Sequence, residues 1–173
     1  ARLLRDTQRI CEAQIRFWHA EGKATGRVAP PAHDRYVFML NAVDNGYGGL
    51  EHRHSTALIA QRSDLPRLGD SKTSEGYMTL LGLISHEYFH TWNVKRLRPR
   101  EFERYDWTRE NHTELLWFFE GLTSYYDDLM LRRCGLMELE SALGALLGIS
   151  VDVVSVGGLR PRDEHIRREA IPL

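Results

Sequence analysis

Cysteine is scarce in this 173-residue chain: only Cys11 and Cys134 are present, far apart and in no C-x-x-C arrangement. That excludes a disulfide framework and a cysteine-based zinc site, and leaves two ordinary thiols of the kind that pack as small hydrophobes. An excess of charge is missing too, since 23 Lys and Arg meet 24 Asp and Glu for a formal charge of −1. Holding a polyanion needs a positive field that this balance does not supply, so no nucleic-acid partner is expected. No apolar run approaches the roughly 18 residues that cross a bilayer, so no membrane span is expected either. A basic-then-apolar start is absent, but the chain opens on Ala1 rather than Met, so the compartment stays unknown. What remains is an ordinary globular balance, 42% apolar and 27% charged, suited to one domain.

The patterns predict a helix over 6–21, capped by Asp6 or Thr7, apolar at Ile10, Ala13, Phe17 and Trp18, and stopped by Gly22. Residues 22–34 carry Gly26, Pro30 and Pro31 and predict a loop. Tyr36 to Val43 is almost wholly apolar and predicts an internal strand; after a turn at 45–49, Leu50 to Ala60 predicts an edge strand. A polar loop over 61–75 precedes a helix from Glu75 to about Val94, and Pro99 forces extended geometry beyond it. Asn111 and Glu114 are spaced as a capping box for a helix reaching Arg133, stopped by Gly135. Residues 137–148 suggest a further helix and 151–156 a short strand. A helix, a strand pair and then helices argue an α+β fold.

One motif carries chemistry: His86-Glu87-Tyr88-Phe89-His90, an H-E-x-x-H. On a helix the two imidazoles lie one turn apart on one face, where both reach a single ion. Glu87 lies between them, able to take a proton from a water without occupying a coordination position. With eight His in this composition, about 0.03 such motifs are expected by chance. Leu81, Ile84, Tyr88 and Trp92 give the same helix an anchoring face, and Gly82, one turn before His86, leaves room beside it. A catalytic zinc usually takes a third protein ligand. Glu110, Glu114, Glu120, Asp127 and Asp128 are the candidates. Trp117, Phe118, Phe119, Leu122 and Met130 make the helix 113–133 apolar and predict its burial, and Glu120 stands inside that run. A buried carboxylate is costly unless it faces a cation, and Thr123 and Ser124 extend a polar stripe from it. The alternative is a buried Glu answered by a neighbouring Arg.

Three segments, H-E-Y-F-H-T-W-N-V-K-R-L-R-P at 86–99, L-W-F-F-E-G-L-T-S-Y-Y-D-D-L at 116–129 and G-G-L-E-H-R-H-S at 48–55, resemble the glycyl aminopeptidase family. That family comprises gluzincin zinc metallopeptidases, often carrying a PDZ domain. The resemblance covers about residues 1–137. It implies a thermolysin-like catalytic core with an edge strand over a metal-binding helix pair, zinc held by His86, His90 and Glu120, and Glu87 as catalytic base. It also likens Gly49-Leu50-Glu51-His52 to the glycine-x-methionine-glutamate-asparagine strand of related aminopeptidases, whose acid binds the substrate's α-amine. Gly49 and Glu51 are therefore the candidate substrate-binding residues. An edge strand offers backbone hydrogen bonds to an extended peptide, and alternation puts Glu51, Arg53 and Ser55 on one face, His52 and His54 on the other.

The implied activity is hydrolysis of the N-terminal peptide bond of peptides, with small residues such as Gly favoured. The rivals are a thermolysin-like endopeptidase in which Glu51 is only structural, and a catalytically weak zinc-folded fragment. The resemblance further implies flanking β and PDZ domains in the full-length protein; residues 1–173 read as a partial catalytic domain, divergent over 141–173. A tyrosine donor for the oxyanion is expected from that later region and has no recognisable match. Tyr125 and Tyr126 read as packing residues, His19, His33, His112 and His165 as ordinary loop or helix-end residues, and the run Lys95 to Arg100 as a solvated or substrate-facing turn.

Overall fold

The computed structural model describes residues 2–19, 35–69, 72–137 and 148. The chain divides into two units, Ala1–Met137 and Glu138–Leu173, and every element described belongs to the first. In order these are α1 (Arg2–Trp18), β1 (Val37–Val43), β2 (Gly48–Glu51), β3 (Ser55–Gln61), α2 (Glu75–Phe89) and α3 (Leu116–Arg133). The class is α+β. The expected loop at 22–34 with its Gly22 stop, the helix over 137–148 and the strand over 151–156 fall outside, or almost wholly outside, the described residues.

The sheet has the order β1-β3-β2. β1 runs parallel to β3, from Val37 opposite Ser55 to Val43 opposite Gln61. β2 runs antiparallel to β3, from Gly48 opposite Ile59 to Glu51 opposite Thr56. This corrects two expectations. The stretch 50–60 is not one edge strand but a tight hairpin whose second arm, β3, is central. The apolar β1 is not internal: among the described residues it pairs on one side only, and its Met39 is exposed while Phe38 and Leu40 pack inward. β3 sits in the middle because Thr56, Leu58 and Ala60 alternate into the core, buried to within 2% of complete.

That inner face lies on α2. Ser74 caps the helix, its hydroxyl accepting from the Tyr77 N–H at 3.1 Å. A helix apolar round most of its surface must be covered round most of it, and α2 is: Tyr77, Leu80, Leu81, Leu83, Ile84, Tyr88 and Phe89 are all buried. It ends at Phe89, shorter than the helix to Val94 that the pattern predicts, and residues 90–97 form a close-packed turn.

α1 starts four residues before the predicted onset, so Asp6 is no cap. Its carboxylate is buried, accepts a hydrogen bond from the Tyr77 hydroxyl at 2.9 Å, and lies 3.5 Å from the Arg2 guanidinium. Arg5 and Arg9 stand at 3.8 and 3.9 Å. Ile10 and Gln14 complete the buried face, and Phe17 and Trp18 pack on Phe89.

α3 corrects two further expectations. It begins at Leu116, and Asn111 and Glu114 form no capping box. The Asn111 Oδ1 accepts from the Asp106 N–H at 2.8 Å, closing a loop, while Glu114 is exposed. Nor is α3 buried all round. Phe119, Thr123, Met130 and Leu131 are buried, but Trp117 is 73% exposed, and Leu116 and Tyr125 also face outward. One flank packs on α2 and the other stays open. No helix among the described residues is long and apolar enough to cross a membrane.

The Asp6–Tyr77 bond ties α1 to the start of α2. Leaving a buried carboxylate short of a donor costs about 1–3 kcal/mol, here toward the low end because three arginines surround Asp6. Tyr77→Phe should lower the unfolding free energy in a urea titration by about 1–2 kcal/mol with an unchanged slope. An unaltered midpoint would mean that the arginines alone satisfy Asp6.

Candidate active site

The C-terminal turn of α2 presents His86 and His90 side by side, as the i, i+4 spacing requires. Their rings meet edge to face with centroids 4.7 Å apart. Each ring is held by its inner nitrogen. His86 Nδ1 lies 2.9 Å from Asp127 Oδ2, and His90 Nδ1 lies 2.9 Å from the Asn93 carbonyl oxygen. An acceptor at Nδ1 fixes the proton there and leaves the Nε2 lone pair directed outward. The two Nε2 atoms stand 3.1 Å apart, and Glu120 Oε2 faces both, at 3.3 Å from His86 and 3.6 Å from His90. One ligand atom from each of His86, His90 and Glu120 falls within 4.8 Å of the other two.

Two lone pairs and a carboxylate pointed at one spot repel each other unless positive charge lies among them. The surroundings of His86 make the same demand. Burial lowers its pKa, but hydrogen bonds to Asp127 and Glu120 outweigh burial and push it up to about 10. The bonds to His86 and His90 hold the Glu120 carboxyl far below its usual range. Oriented Nε2 atoms plus one carboxylate fit a divalent cation that keeps further coordination positions open.

The turn after α2 does much of the positioning. Lys95 N donates to His90 O at 3.1 Å, and Val94 N to Leu97 O at 2.8 Å. Val94, buried and β-branched, has φ 105°. That backbone region costs such a residue on the order of 1–3 kcal/mol and persists where the surroundings enforce it. It turns the Asn93 carbonyl toward His90 and sends the Asn93 side chain to α3, where Nδ2 donates to Phe119 O and Thr123 Oγ1, both at 2.9 Å. Those two residues flank Glu120 in sequence. Asp127 is set from the other side, since Ser85 Oγ donates to its backbone carbonyl at 2.9 Å and Gln14 Nε2 donates to Ser85 O at 2.8 Å.

Glu120 itself is 46% exposed, which overturns the argument from its burial. It stands at the margin between the packed and open flanks of α3, directed at the imidazoles. Glu87 is the buried acid, 4% exposed, and its Oε2 has no hydrogen-bond partner among the described residues. Burial pushes its carboxyl up, against the pull of His90 and His86. Gly49 of β2 lies directly against that carboxylate, where any Cβ would overlap it. Gly82 has open space around it, as its place one turn before His86 suggests.

Glu51, two residues beyond Gly49 and on the same face, is already paired: its Oε1 lies 2.9 Å from Lys95 Nζ. The alternation drawn through Arg53 and Ser55 does not hold, because the chain turns back at 52–54. His52 Nδ1 sits 3.1 Å from the Leu50 carbonyl. Tyr126 stacks on Phe89 at 5.3 Å, a packing role, and Tyr125 is exposed.

Asp127 and Asn93 escaped the sequence reading as ring-orienting groups. Asp127 follows Glu120 by two helical turns, a same-face spacing that could have flagged it. Tyr47 is 62% exposed, and partial desolvation followed by the charges of Asp127, Glu87 and Asp128 raises its phenol pKa.

No curated protein matches the chain. Residues 79–158 match the family model of the M61 glycyl aminopeptidases. Among solved structures, an aminopeptidase N family protein from Idiomarina loihiensis is similar at 40% identity and a TM-score of 0.76. The likeness covers 84% of this chain and 23% of that one, so the chain spans about a quarter of the length of that relative. The H-E-x-x-H helix lies inside the span similar to the glycyl aminopeptidase family, and the chain's fold is similar to that of an aminopeptidase N family structure.

Proposed function

We propose that this chain carries the centre of a gluzincin-type zinc aminopeptidase, built on a thermolysin-like core, that hydrolyses the N-terminal bond of peptides and favours small first residues such as Gly. The observation that carries the reading is the convergence of His86 Nε2, His90 Nε2 and a Glu120 oxygen on one point, with both rings locked from behind. Zinc bound there would polarise the scissile carbonyl and lower the pKa of a water toward 7.

The chain's own residues divide the remaining work. Asp127 and the Asn93 carbonyl hold the imidazoles in the Nδ1–H tautomer, so neither ring rotates away. Glu87, with Oε2 unengaged, takes a proton from the attacking water and returns it to the leaving amine. Its buried setting raises its proton affinity, which favours accepting. β2 is an edge strand of the described sheet and can pair with an extended peptide through backbone bonds. Gly49, lacking a side chain, lets that backbone approach Glu87. Glu51, farther along the same face, anchors the substrate's terminal ammonium. In the full-length protein, flanking β and PDZ domains belong to the same reading.

A second reading has an observation in its favour. The Lys95 ion pair already answers the Glu51 charge, which suits an endopeptidase in which Glu51 is structural. Free-amine and N-acetylated substrates separate the two.

Three variants test the assignment. Glu120→Ala should lose most bound zinc in metal analysis of the purified protein; wild-type occupancy would mean that another residue supplies the third ligand. Glu87→Gln should keep zinc while hydrolysis falls by on the order of 10²–10⁴, and near-normal turnover would remove Glu87 from the chemistry. Glu51→Ala should raise KM for free-amine peptides by about tenfold or more, as expected on losing a charged anchor, and spare N-acetylated peptides. An unchanged ratio between the two substrates would favour the endopeptidase.

A further inference from the structure

Glu51 and Lys95 come from different elements and meet beside the catalytic base. Their Oε1–Nζ distance is 2.9 Å, and the two side chains are only 22% and 21% exposed. Neither end is loosely held. Glu51 lies opposite Thr56 in the sheet, and the Thr56 hydroxyl donates to the neighbouring Leu50 carbonyl at 3.1 Å. Lys95 is fixed by its N–H to His90 O at 3.1 Å, and the next residue by Arg96 N to Trp92 O at 3.2 Å. Buried Val94 holds the same turn from beneath. The ammonium therefore reaches Glu51 from a backbone position tied to one of the proposed metal ligands.

We propose that Lys95 is an internal occupant of the amine site, its ammonium holding Glu51 where a substrate's terminal ammonium is to bind, so that Lys95 sets how tightly free amines are held. This rests on the reading of Glu51 as the amine anchor. A lysine ammonium and an α-ammonium carry the same charge and the same three donors. A carboxylate has two oxygens and room for both partners, and Lys95 takes Oε1. A second ammonium on the same carboxylate stands beside the first, and two like charges that close repel even near a surface. The chain thus holds free amines more weakly than a bare Glu51 would. The consequence reaches product release. The amino acid set free carries the same kind of ammonium as the substrate, so a tempered amine site lets it go.

The test compares the zinc-loaded wild-type chain with Lys95→Met, Lys95→Arg and Glu51→Ala. Kinetics use a glycyl peptide and its N-acetylated form, and calorimetry measures glycinamide binding directly. In Lys95→Met, KM for the free-amine peptide and Kd for glycinamide should fall together by about tenfold, the size that close like charges support after screening. The change should lie in KM rather than kcat, and the N-acetylated peptide should not share it. Lys95→Arg, which keeps the cation, should bind glycinamide as the wild type does. A merely structural tie between β2 and the turn predicts the opposite, a raised KM for both peptides and a lowered Tm. If Lys95→Met binds glycinamide no tighter while Glu51→Ala binds it more weakly, the inference is wrong and the amine anchor stands. If Glu51→Ala binds glycinamide like the wild type, the anchor falls and the inference with it.

Discussion

The 3.1 Å approach of His86 Nε2 to His90 Nε2 is the contact on which the rest of the site depends. Two imidazole lone pairs do not face each other at that distance unless both rings are held from behind and positive charge is shared in front. Holding them occupies a large part of the fold. α2 is covered by α1, α3 and the sheet, so its axis is fixed before any polar group is considered. The Asn93 carbonyl then sets one ring and Asp127 the other. Asn93 in turn fastens α3 through Phe119 and Thr123, which brings Glu120 to the same point. A buried hydrophobic helix supplies rigidity, and a short polar network at its end converts that rigidity into aim.

The two histidines and the intervening acid were legible because they need only helical periodicity, and α2 has it without interruption. Glu120 was legible for a partly mistaken reason. Its apolar neighbours suggested a buried helix, but Trp117 and Tyr125 point outward, and the acid lies at the margin. That margin is compatible with the proposed ligand role, since the half-open carboxylate still reaches both imidazoles. The orienting residues were not legible on the same terms. Asn93 acts through its carbonyl, and that carbonyl is aimed by a positive φ at Val94, a β-branched residue that local propensity places in extended backbone. Only tertiary packing forces the turn, so no local pattern announces it.

The sheet shows the complementary failure. A hairpin usually marks itself with Gly, Asn or Pro, yet the turn at 52–54 is His-Arg-His, so 50–60 read as one strand. The observed register explains what the turn achieves. Gly49 opposite Leu58 and Glu51 opposite Thr56 face α2, while Leu50 faces away and is exposed. A one-residue slip would bring Leu50 against the Glu87 carboxylate and carry Glu51 to the outer face. The glycine is thus required by close approach at that position, and the acid two residues on inherits its direction.

These constraints meet in the turn that closes α2. Within six residues it contains His90, a proposed metal ligand, Asn93, which orients that ligand and secures α3, and Lys95, which engages Glu51. The separation between the proposed metal centre and the end of β2 is therefore set by one strained, tightly bonded turn on one side and by the pairing of β2 with β3 on the other. On the proposed aminopeptidase reading, that separation corresponds to the distance from the substrate's terminal amine to its first peptide bond. On that reading, a flexible link at either place would let the proposed amine anchor drift relative to the proposed base, and cleavage one residue from the end would give way to cleavage at any bond that fits. On this reading the strain at Val94 is retained because relaxing it would loosen two positions at once, the His90 ring and the Lys95 ammonium, and with them the register between anchor and scissile bond.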